Sequence, residues 1–102
     1  YNVYYLDEIL NYFNDQNIGC YVNYVHMPEM QCIRFMPEHV KQAVSNKLDV
    51  TNIAIKETVT YMNSSADNVE HHWQEFLRST HELDEIRNQS FKDTFPEFAR
   101  II

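Results

Sequence analysis

The spacing of apolar residues predicts a first helix near the start of the chain. Leu6, Ile9 and Phe13 recur at the intervals that place side chains on one face of a helix. Acidic residues occupy the first turn, where the helix dipole favours negative charge. The pattern therefore predicts a helix from Leu6 to Phe13.

A second helix is predicted after Pro37. Proline is common in the first turn of a helix, and here the acidic Glu38 follows it. Val40, Val44 and Leu48 then recur every four residues and predict one buried face. The helix is expected to end near Leu48.

The second half of the chain has the pattern of two further helices joined by a polar linker. The first is predicted from Asn52 to Met62 and the second from Asn68 to Asn88. Phe95 and Pro96 are expected to fold back, because an unpacked aromatic tail would leave apolar surface in water. The apolar face of the longest helix and its exit turn predict a hydrophobic centre formed by Trp73, Phe76, Leu77, Leu83 and Phe91.

Two stretches between the first and second helices have the composition of β-strands. Ile18–Val25 is rich in β-branched and aromatic residues, and Gln31–Phe35 has the pattern of a returning strand after a break at Met27-Pro28-Glu29. Together they predict one antiparallel β-hairpin. The predicted fold class is α+β and mostly helical, with a helix, the hairpin and a three-helix C-terminal subdomain.

The length and composition are those of a small globular domain. A chain of 102 residues with 44% hydrophobic content is large enough for one modest core. A single domain is expected over residues 1–102, with a hairpin part of about 1–48 and a helical part of about 49–102.

The charge and hydropathy pattern argue against two classes of partner. The net charge of −7 opposes binding to nucleic-acid phosphates, and the Lys and Arg residues are scattered without forming a basic stripe. No apolar run is long enough to span a bilayer. We therefore expect a cytoplasmic protein with no nucleic-acid partner and no membrane partner.

The two cysteines, Cys20 and Cys32, are expected to remain reduced. In the predicted hairpin they lie about three residues out of register, which is too far for a disulfide. Both are interpreted as buried thiols of a cytoplasmic protein.

No complete catalytic, nucleotide-binding or cofactor motif is present in the sequence. Catalytic, cofactor-binding and metal-ligating residues are therefore predicted as none. The most interesting local feature is the hairpin tip, where His26 and Glu29 combine an imidazole and a carboxylate on a loop that could face a site. The alternative interpretation of this tip is a surface turn shaped by Pro28.

The histidines leave a small metalloprotein open as a further alternative. Two groups of possible metal ligands lie on the longest helix. Because both groups belong to one helix, the competing interpretation is a polar face exposed to solvent. Cys20 and Cys32 with His26 lack a fourth ligand at the spacing of a zinc finger. The candidate groups on the helix are His71, His72 and Glu75, and His81, Asp84 and Glu85.

The start of the chain is rich in tyrosine. Tyr1, Tyr4 and Tyr5 are interpreted as core or interface aromatics, and they predict an exposed cluster through which the chain could contact a partner or form an oligomer. The chain begins with Tyr1 rather than Met. This start is expected for a processed chain or for a segment of a longer protein, and the C-terminal segment of a longer protein is the preferred interpretation.

Several stretches together resemble the C-terminal part of the twitch-domain radical SAM proteins of phages and marine metagenomes. The resemblance covers most of the chain, and its motifs are moderately specific. The residues that carry it are Tyr4 to Ile9, Asn23 to Glu29, Met36 to Glu38, Thr80, Leu83 to Phe91 and Thr94 to Glu97.

The resemblance implies a larger enzyme around this chain. In that family an N-terminal partial barrel binds a 4Fe-4S cluster and S-adenosylmethionine through a Cys-x-x-x-Cys-x-x-Cys motif, and nothing in this chain matches the motif. A twitch unit is similar to the predicted hairpin and helix, and it often holds an auxiliary cluster through several cysteines. This chain offers only Cys20 and Cys32 for such a cluster.

Two hypotheses of function follow. The first is a non-catalytic, twitch-like accessory segment of a radical SAM-like enzyme, whose partner is the rest of the parent chain. The alternative is a small acidic phage-type module that binds another protein and has no enzymatic activity. Either protein would work in the cytoplasm, which is that of the host for a phage-encoded chain.

Overall fold

The computed structural model describes residues 2–102, and within them the regular structure is helical. Short 3₁₀ turns precede the first helix at Val3–Tyr5 and the second helix at Glu29–Gln31 and Ile33–Phe35. The helices are α1 (Leu6–Asp15), α2 (Glu38–Lys47), α3 (Ile53–Met62), α4 (Val69–Arg87), α5 (Phe91–Thr94) and α6 (Pro96–Ala99).

The predicted β-hairpin is wrong, because residues 2–102 contain six α-helices and no strand. The predicted returning strand, Gln31–Phe35, instead satisfies its amides locally. The amide of Gln31 donates to the carbonyl of Pro28, and the amide of Cys32 donates to the carbonyl of Glu29, both at 2.9 Å. These turn bonds use the donors that a hairpin would have directed toward Ile18–Val25.

The physical reason for this difference is a buried stripe that begins before α2. Every fourth residue of this segment is buried, so the buried face of α2 continues into the turns before it. Burial of these side chains in the core outweighs the β-propensity of Gln31–Phe35, since propensity is a weak preference that tertiary packing overrides. The stripe consists of Cys32, Met36, Val40, Val44 and Leu48.

One hydrophobic cluster joins the first and second halves of the chain. Val3 and Leu6 contribute from the start of the chain, and Phe98 contributes from its end. Helices α1 to α4 are confirmed, and each of their ends lies within two residues of the predicted position. The remaining buried members are Met36, Val40, Val44, Leu48, Ile55, Met62, Trp73 and Phe76.

Lys47, the last residue of α2, fixes the position of α1. Its ammonium donates to Asp7 Oδ1 at 2.8 Å and to the carbonyl of Tyr4. The same nitrogen lies 4.6 Å from the centre of the Tyr4 ring. The cation therefore joins the C-terminus of α2, where positive charge is favourable, to the first turn of α1.

The aromatic tail folds back as predicted. Phe98 is fully buried and stacks on Tyr4 with ring centres 5.8 Å apart. The Tyr5 hydroxyl donates to Glu97 Oε2 at 2.8 Å. Burial, followed by this hydrogen bond, raises the pKa of Tyr5. Tyr4 and Tyr5 are therefore only partly exposed, and Tyr1 lies outside the described residues.

The predicted centre on α4 is correct in its first half and wrong in its second half. Trp73 and Phe76 are buried and stack with ring centres 5.1 Å apart. Leu77 and Leu83 are instead exposed, and Ile86 is 79% exposed. The core covers only the first turns of α4, so the rest of its apolar face is exposed to solvent. Within residues 2–102, no helix combines the length and apolar character required to cross a membrane.

Replacing Trp73 with Ala is expected to lower the free energy of unfolding by about 3–5 kcal/mol, the usual cost of truncating a buried large aromatic side chain. Ile86→Ala is the matched control on the same helix, and it should change the stability by less than about 0.5 kcal/mol because the side chain is exposed. Chemical denaturation followed by circular dichroism measures both. Equal stability of Trp73→Ala and the parent would contradict the assignment of Trp73 to the core.

Candidate functional site

Residues Ile18–Met27, here called the arm, lie along α3 without forming regular structure. The Tyr24 ring stacks on Tyr61 of α3 with ring centres 4.2 Å apart and planes 7° apart. The Tyr24 hydroxyl lies 3.4 Å from the Thr58 hydroxyl, one helical turn earlier. The arm is therefore attached to α3 through its aromatic side chains.

Tyr61 is the centre of a hydrogen-bonded cluster. Its hydroxyl lies 2.9 Å from His26 Nδ1 and 3.3 Å from Cys32 Sγ. One arrangement of protons satisfies all three groups: the Cys32 thiol donates to the Tyr61 oxygen, and the Tyr61 hydroxyl donates to His26 Nδ1. In this arrangement the second His26 ring nitrogen carries the proton and faces outward from the bond.

The surroundings of Tyr61 keep its hydroxyl protonated. Burial, followed by the hydrogen bond with Cys32, raises the pKa of Tyr61 to about 12, and the guanidinium of Arg34 opposes this shift. The Arg34 guanidinium carbon lies 5.8 Å from the centre of the Tyr61 ring. A neutral phenol is a donor and acceptor at physiological pH but not a base, so the geometry favours a structural hydrogen-bond bridge over proton abstraction.

Two cations lie behind the cluster. Arg34 donates to the carbonyl of Ser65 in the linker between α3 and α4, and its Nε is buried with no hydrogen-bond partner in residues 2–102. Lys41 of α2 is only 6% exposed, and burial lowers its pKa. Both residues lie near Cys32, and their charge offsets part of the acidic character of the chain locally.

The predicted tip residues His26 and Glu29 contact different helices. His26 bonds to Tyr61 of α3, whereas Glu29 Oε2 lies 2.9 Å from His72 Nε2 of α4. The His72 ring also packs on Phe35 with ring centres 4.3 Å apart. The two residues thus attach the two ends of one loop to the helices and do not converge on a common reacting atom.

The outer side of the arm presents apolar groups to solvent. Tyr21 is 91% exposed, Met27 is 73% exposed, and Ile18 and Val25 are also exposed. Ile53 of α3 is also exposed, in an open depression that it shares with Tyr24 and Tyr61 of the same region. We call this surface, formed by Ile18, Tyr21, Val25, Met27 and Ile53, the contact face.

A small groove of about 120 Å³ lies next to the arm, between it and the start of the chain. Val22 and Val25 of the arm form one wall, and Val3 and Leu6 form another. An apolar cavity of about 150 Å³ accepts a molecule of the size of benzene, so this groove is large enough for one aliphatic side chain.

The two cysteines lie in different surroundings. Cys32 is 2% exposed, as predicted, but the prediction that Cys20 is buried is wrong, because it lies on the arm at the surface. His81 lies 3.1 Å from Glu85 on the surface of α4. No group of three or more His, Cys, Asp or Glu side chains with the geometry of a metal site occurs among residues 2–102.

Tyr61, Arg34 and Thr58 were not singled out by the sequence, although they organise the site. Nothing in the spacing of Tyr61 relates it to Tyr24, because the two belong to separate elements. The one usable signal was the buried stripe of α2, which extends backward at the same spacing to Met36 and Cys32. Extending it would have added Met36 to the predicted core.

Comparisons with known proteins identified no relative of this chain. A scan of family models found no match, and searches of curated proteins and of solved structures found no significant match either.

The raised pKa of Tyr61 predicts a specific dependence of stability on pH. An unfolded tyrosine ionises near pH 10, whereas Tyr61 in the folded protein ionises near 12. Between these two pKa values the folded protein therefore keeps the hydroxyl proton of Tyr61, whereas the unfolded chain has released it. The stabilisation is complete below about pH 10 and is lost as the pH rises toward 12.

Tyr61→Phe isolates this contribution, because it keeps the ring on Tyr24 and removes only the hydroxyl. The difference in free energy of unfolding between parent and variant should shrink as the pH rises above about 10. The difference in tyrosinate absorbance between them should report a group that ionises near 12. A constant stability difference, or a group that ionises near pH 10, would show that the hydroxyl is not held in the cluster.

Proposed function

We propose that this chain is a non-catalytic accessory module that acts by protein contact. The observation that carries this proposal is the contact face, where Tyr21 and Met27 are exposed beside other apolar side chains on an arm fixed to α3. Clustered apolar groups of this kind are typical of surfaces that another protein covers. Tyrosine and methionine are also enriched at protein interfaces.

The attachment of the arm supports this function. Stacking of Tyr24 on Tyr61 and the bond from His26 to Tyr61 hold the inner side of the arm on α3. The outer side chains are therefore presented by a fixed support, which lowers the ordering cost of binding. A module of this design contributes affinity and position rather than chemistry.

The parent that the resemblance implies is a radical SAM-like enzyme, and we propose that its remaining part covers the contact face. The residues of this chain do not fit the cofactors of that family. Cys20 lies at the surface, whereas Cys32 is buried against Tyr61, and neither belongs to the cluster-binding motif. Any 4Fe-4S cluster and S-adenosylmethionine would be bound by the rest of the parent, so no chemical step is assigned here.

The alternative is a free-standing acidic module whose contact face binds a separate protein. The net charge of −7 favours this version, because it suits a partner with a basic surface. In both versions we propose action in the cytoplasm. The two thiols, which form no disulfide, are in keeping with a reducing compartment.

Site-specific photocross-linking tests the proposal. The complete natural gene is expressed in cells with a photoreactive phenylalanine analogue in place of Tyr21. We expect a cross-link either to another part of the same polypeptide, as for an accessory segment, or to one separate protein, as for a binding module. Mass spectrometry of the cross-linked peptides identifies which of the two forms.

Asn46 of α2 provides the matched control, since it is exposed and polar and lies outside the contact face. The same photoreactive residue at position 46 should give little product. A yield at position 21 no greater than that at position 46 would contradict the proposed function.

A further inference from the structure

We propose that the hydrogen-bonded cluster around Tyr61 is a relay for one-electron oxidation, in which an oxidant withdraws an electron from a stacked tyrosine pair and the radical passes to a buried thiol. The residues of the relay are Tyr24, Tyr61, His26 and Cys32. This inference goes beyond the proposed contact function and does not depend on it, because the relay requires no partner protein.

The stacked pair of Tyr24 and Tyr61 is the part of the relay that loses the electron. The ring centres are 4.2 Å apart and the planes differ by 7°, so the two π systems face each other. A positive charge over the face of an aromatic ring is stabilised by that ring. The charge left on one tyrosine is therefore stabilised by the other, which favours oxidation of the pair over oxidation of an isolated phenol.

The pair is accessible to an oxidant from the surface. Tyr24 and Tyr61 line an open depression on α3, together with Lys56 and Glu57. The net charge of −7 raises the local concentration of a cationic oxidant. Electron transfer to such an oxidant therefore requires no opening of the core.

His26 supplies the proton acceptor that oxidation of Tyr61 requires. A phenol becomes a strong acid once its ring has lost an electron, so the proton leaves with the electron. The Tyr61 oxygen lies 2.9 Å from His26 Nδ1, which is a hydrogen-bond distance. The electron passes to the oxidant and the proton passes to Nδ1, leaving a neutral Tyr61 radical and an imidazolium on an exposed residue.

Two features near the ring couple the electron to the proton. Burial, followed by the hydrogen bond with Cys32, raises the pKa of Tyr61 to about 12, so the phenol still carries its proton when it is oxidised. The guanidinium carbon of Arg34 lies 5.8 Å from the ring centre and repels a radical cation that keeps its proton. Oxidation of Tyr61 therefore depends on the transfer to His26.

Cys32 supplies the hydrogen atom that restores Tyr61. Its Sγ lies 3.3 Å from the Tyr61 oxygen. The S–H bond of a thiol and the O–H bond of a phenol are similar in strength, so the transfer is close to thermoneutral. The S–H bond breaks, the Tyr61 O–H bond forms again, and the unpaired electron remains on a sulfur atom that is only 2% exposed as a residue.

A small reductant of the ascorbate class closes the cycle from the surface. The Cys32 radical takes the hydrogen atom back from Tyr61, the reductant returns one electron to the stacked pair, and His26 returns the proton. Each group then has its original electrons and protons. The relay thus carries an oxidising equivalent into the core and releases it without permanent damage to the chain.

Tyr5 shows which features distinguish Tyr61 from another hydrogen-bonded tyrosine. The Tyr5 hydroxyl donates to Glu97 Oε2 at 2.8 Å, and a carboxylate is a weaker base than an imidazole. Its ring meets Tyr4 edge-on at 81°, so the two π systems do not face each other. We therefore assign the relay to Tyr61 and not to Tyr5.

Flash photolysis of the purified chain tests the relay. A photo-oxidised tris(bipyridine)ruthenium complex withdraws one electron, and the absorbance and paramagnetic resonance of the phenoxyl radical are followed with time. Tyr61→Phe keeps the ring on Tyr24, and we expect it to abolish one component of the signal that Tyr21→Phe leaves in place. Tyr21 is the control because it is 91% exposed. Equal signals from the parent and Tyr61→Phe would overturn the relay.

A histidine pair tests the proton step. His26→Ala should slow formation of the Tyr61 component about tenfold or more, because a positioned proton acceptor accelerates proton transfer by at least this order. His81→Ala is the control, since His81 is an exposed histidine of α4 outside the cluster. Imidazole in solution should restore the rate of His26→Ala, because position 26 is exposed, and the loss of a purely structural contact would show no such rescue.

A cysteine pair tests the hydrogen-atom step. Cys32→Ser keeps a hydrogen-bonding group beside Tyr61, but an alcohol O–H bond is too strong to give up its hydrogen atom to a phenoxyl radical. The Tyr61 radical should therefore live several-fold longer in this variant. Cys20→Ser, on the exposed part of the arm, should leave the lifetime unchanged. Circular dichroism checks the fold, and Cys32→Ala repeats the measurement if the serine variant is unfolded.

Either of two results would overturn the relay: an unchanged radical lifetime without the Cys32 thiol, or an unchanged rate of radical formation in His26→Ala. The photocross-link at Tyr21 is a separate measurement. It tests the contact face, and its outcome does not depend on whether the relay operates.

Discussion

Burial of Cys32, Met36, Val40, Val44 and Leu48 on one stripe is the constraint on which the rest of the structure depends. Val40 and Val44 lie on one face of α2, and Cys32 and Met36, which flank the 3₁₀ turn Ile33–Phe35, are buried together with them. The stripe places Cys32 against Tyr61 and Lys47 against the first turn of α1. It thereby fixes both the position of α1 and the support for the arm.

A second consequence is the separation of side-chain and backbone interactions along the arm. Tyr24 and His26 use Tyr61 as a common anchor, and the neutral hydroxyl of Tyr61 connects them to the core through Cys32. The backbone of the arm obtains no comparable partner among the described residues. A segment that is fixed by its side chains and unpaired along its backbone is suited to recognition.

Periodicity in the sequence was sufficient for α1 to α4, because each depends on local spacing and its own end signals, whereas the short α5 and α6 were not predicted. Trp73 and Phe76 were identified for the same reason, and Phe98 confirms that the aromatic tail packs back. Leu83 was misplaced because a stripe shows which side of a helix is apolar but not how far the core extends. The bridge through Tyr61 depends on contacts between distant segments, which local patterns do not contain.

Amide hydrogen exchange on the isolated protein tests the central claim most directly. The account predicts rapid exchange for the amides of Cys20 to His26, because they have no described acceptor, and slow exchange for Val40 to Val44 within α2. Slow exchange of comparable extent in both the arm and Gln31–Phe35 would indicate a paired hairpin. That result would contradict the 3₁₀ turns at Gln31–Phe35, which the buried stripe requires, and the unpaired backbone of the arm.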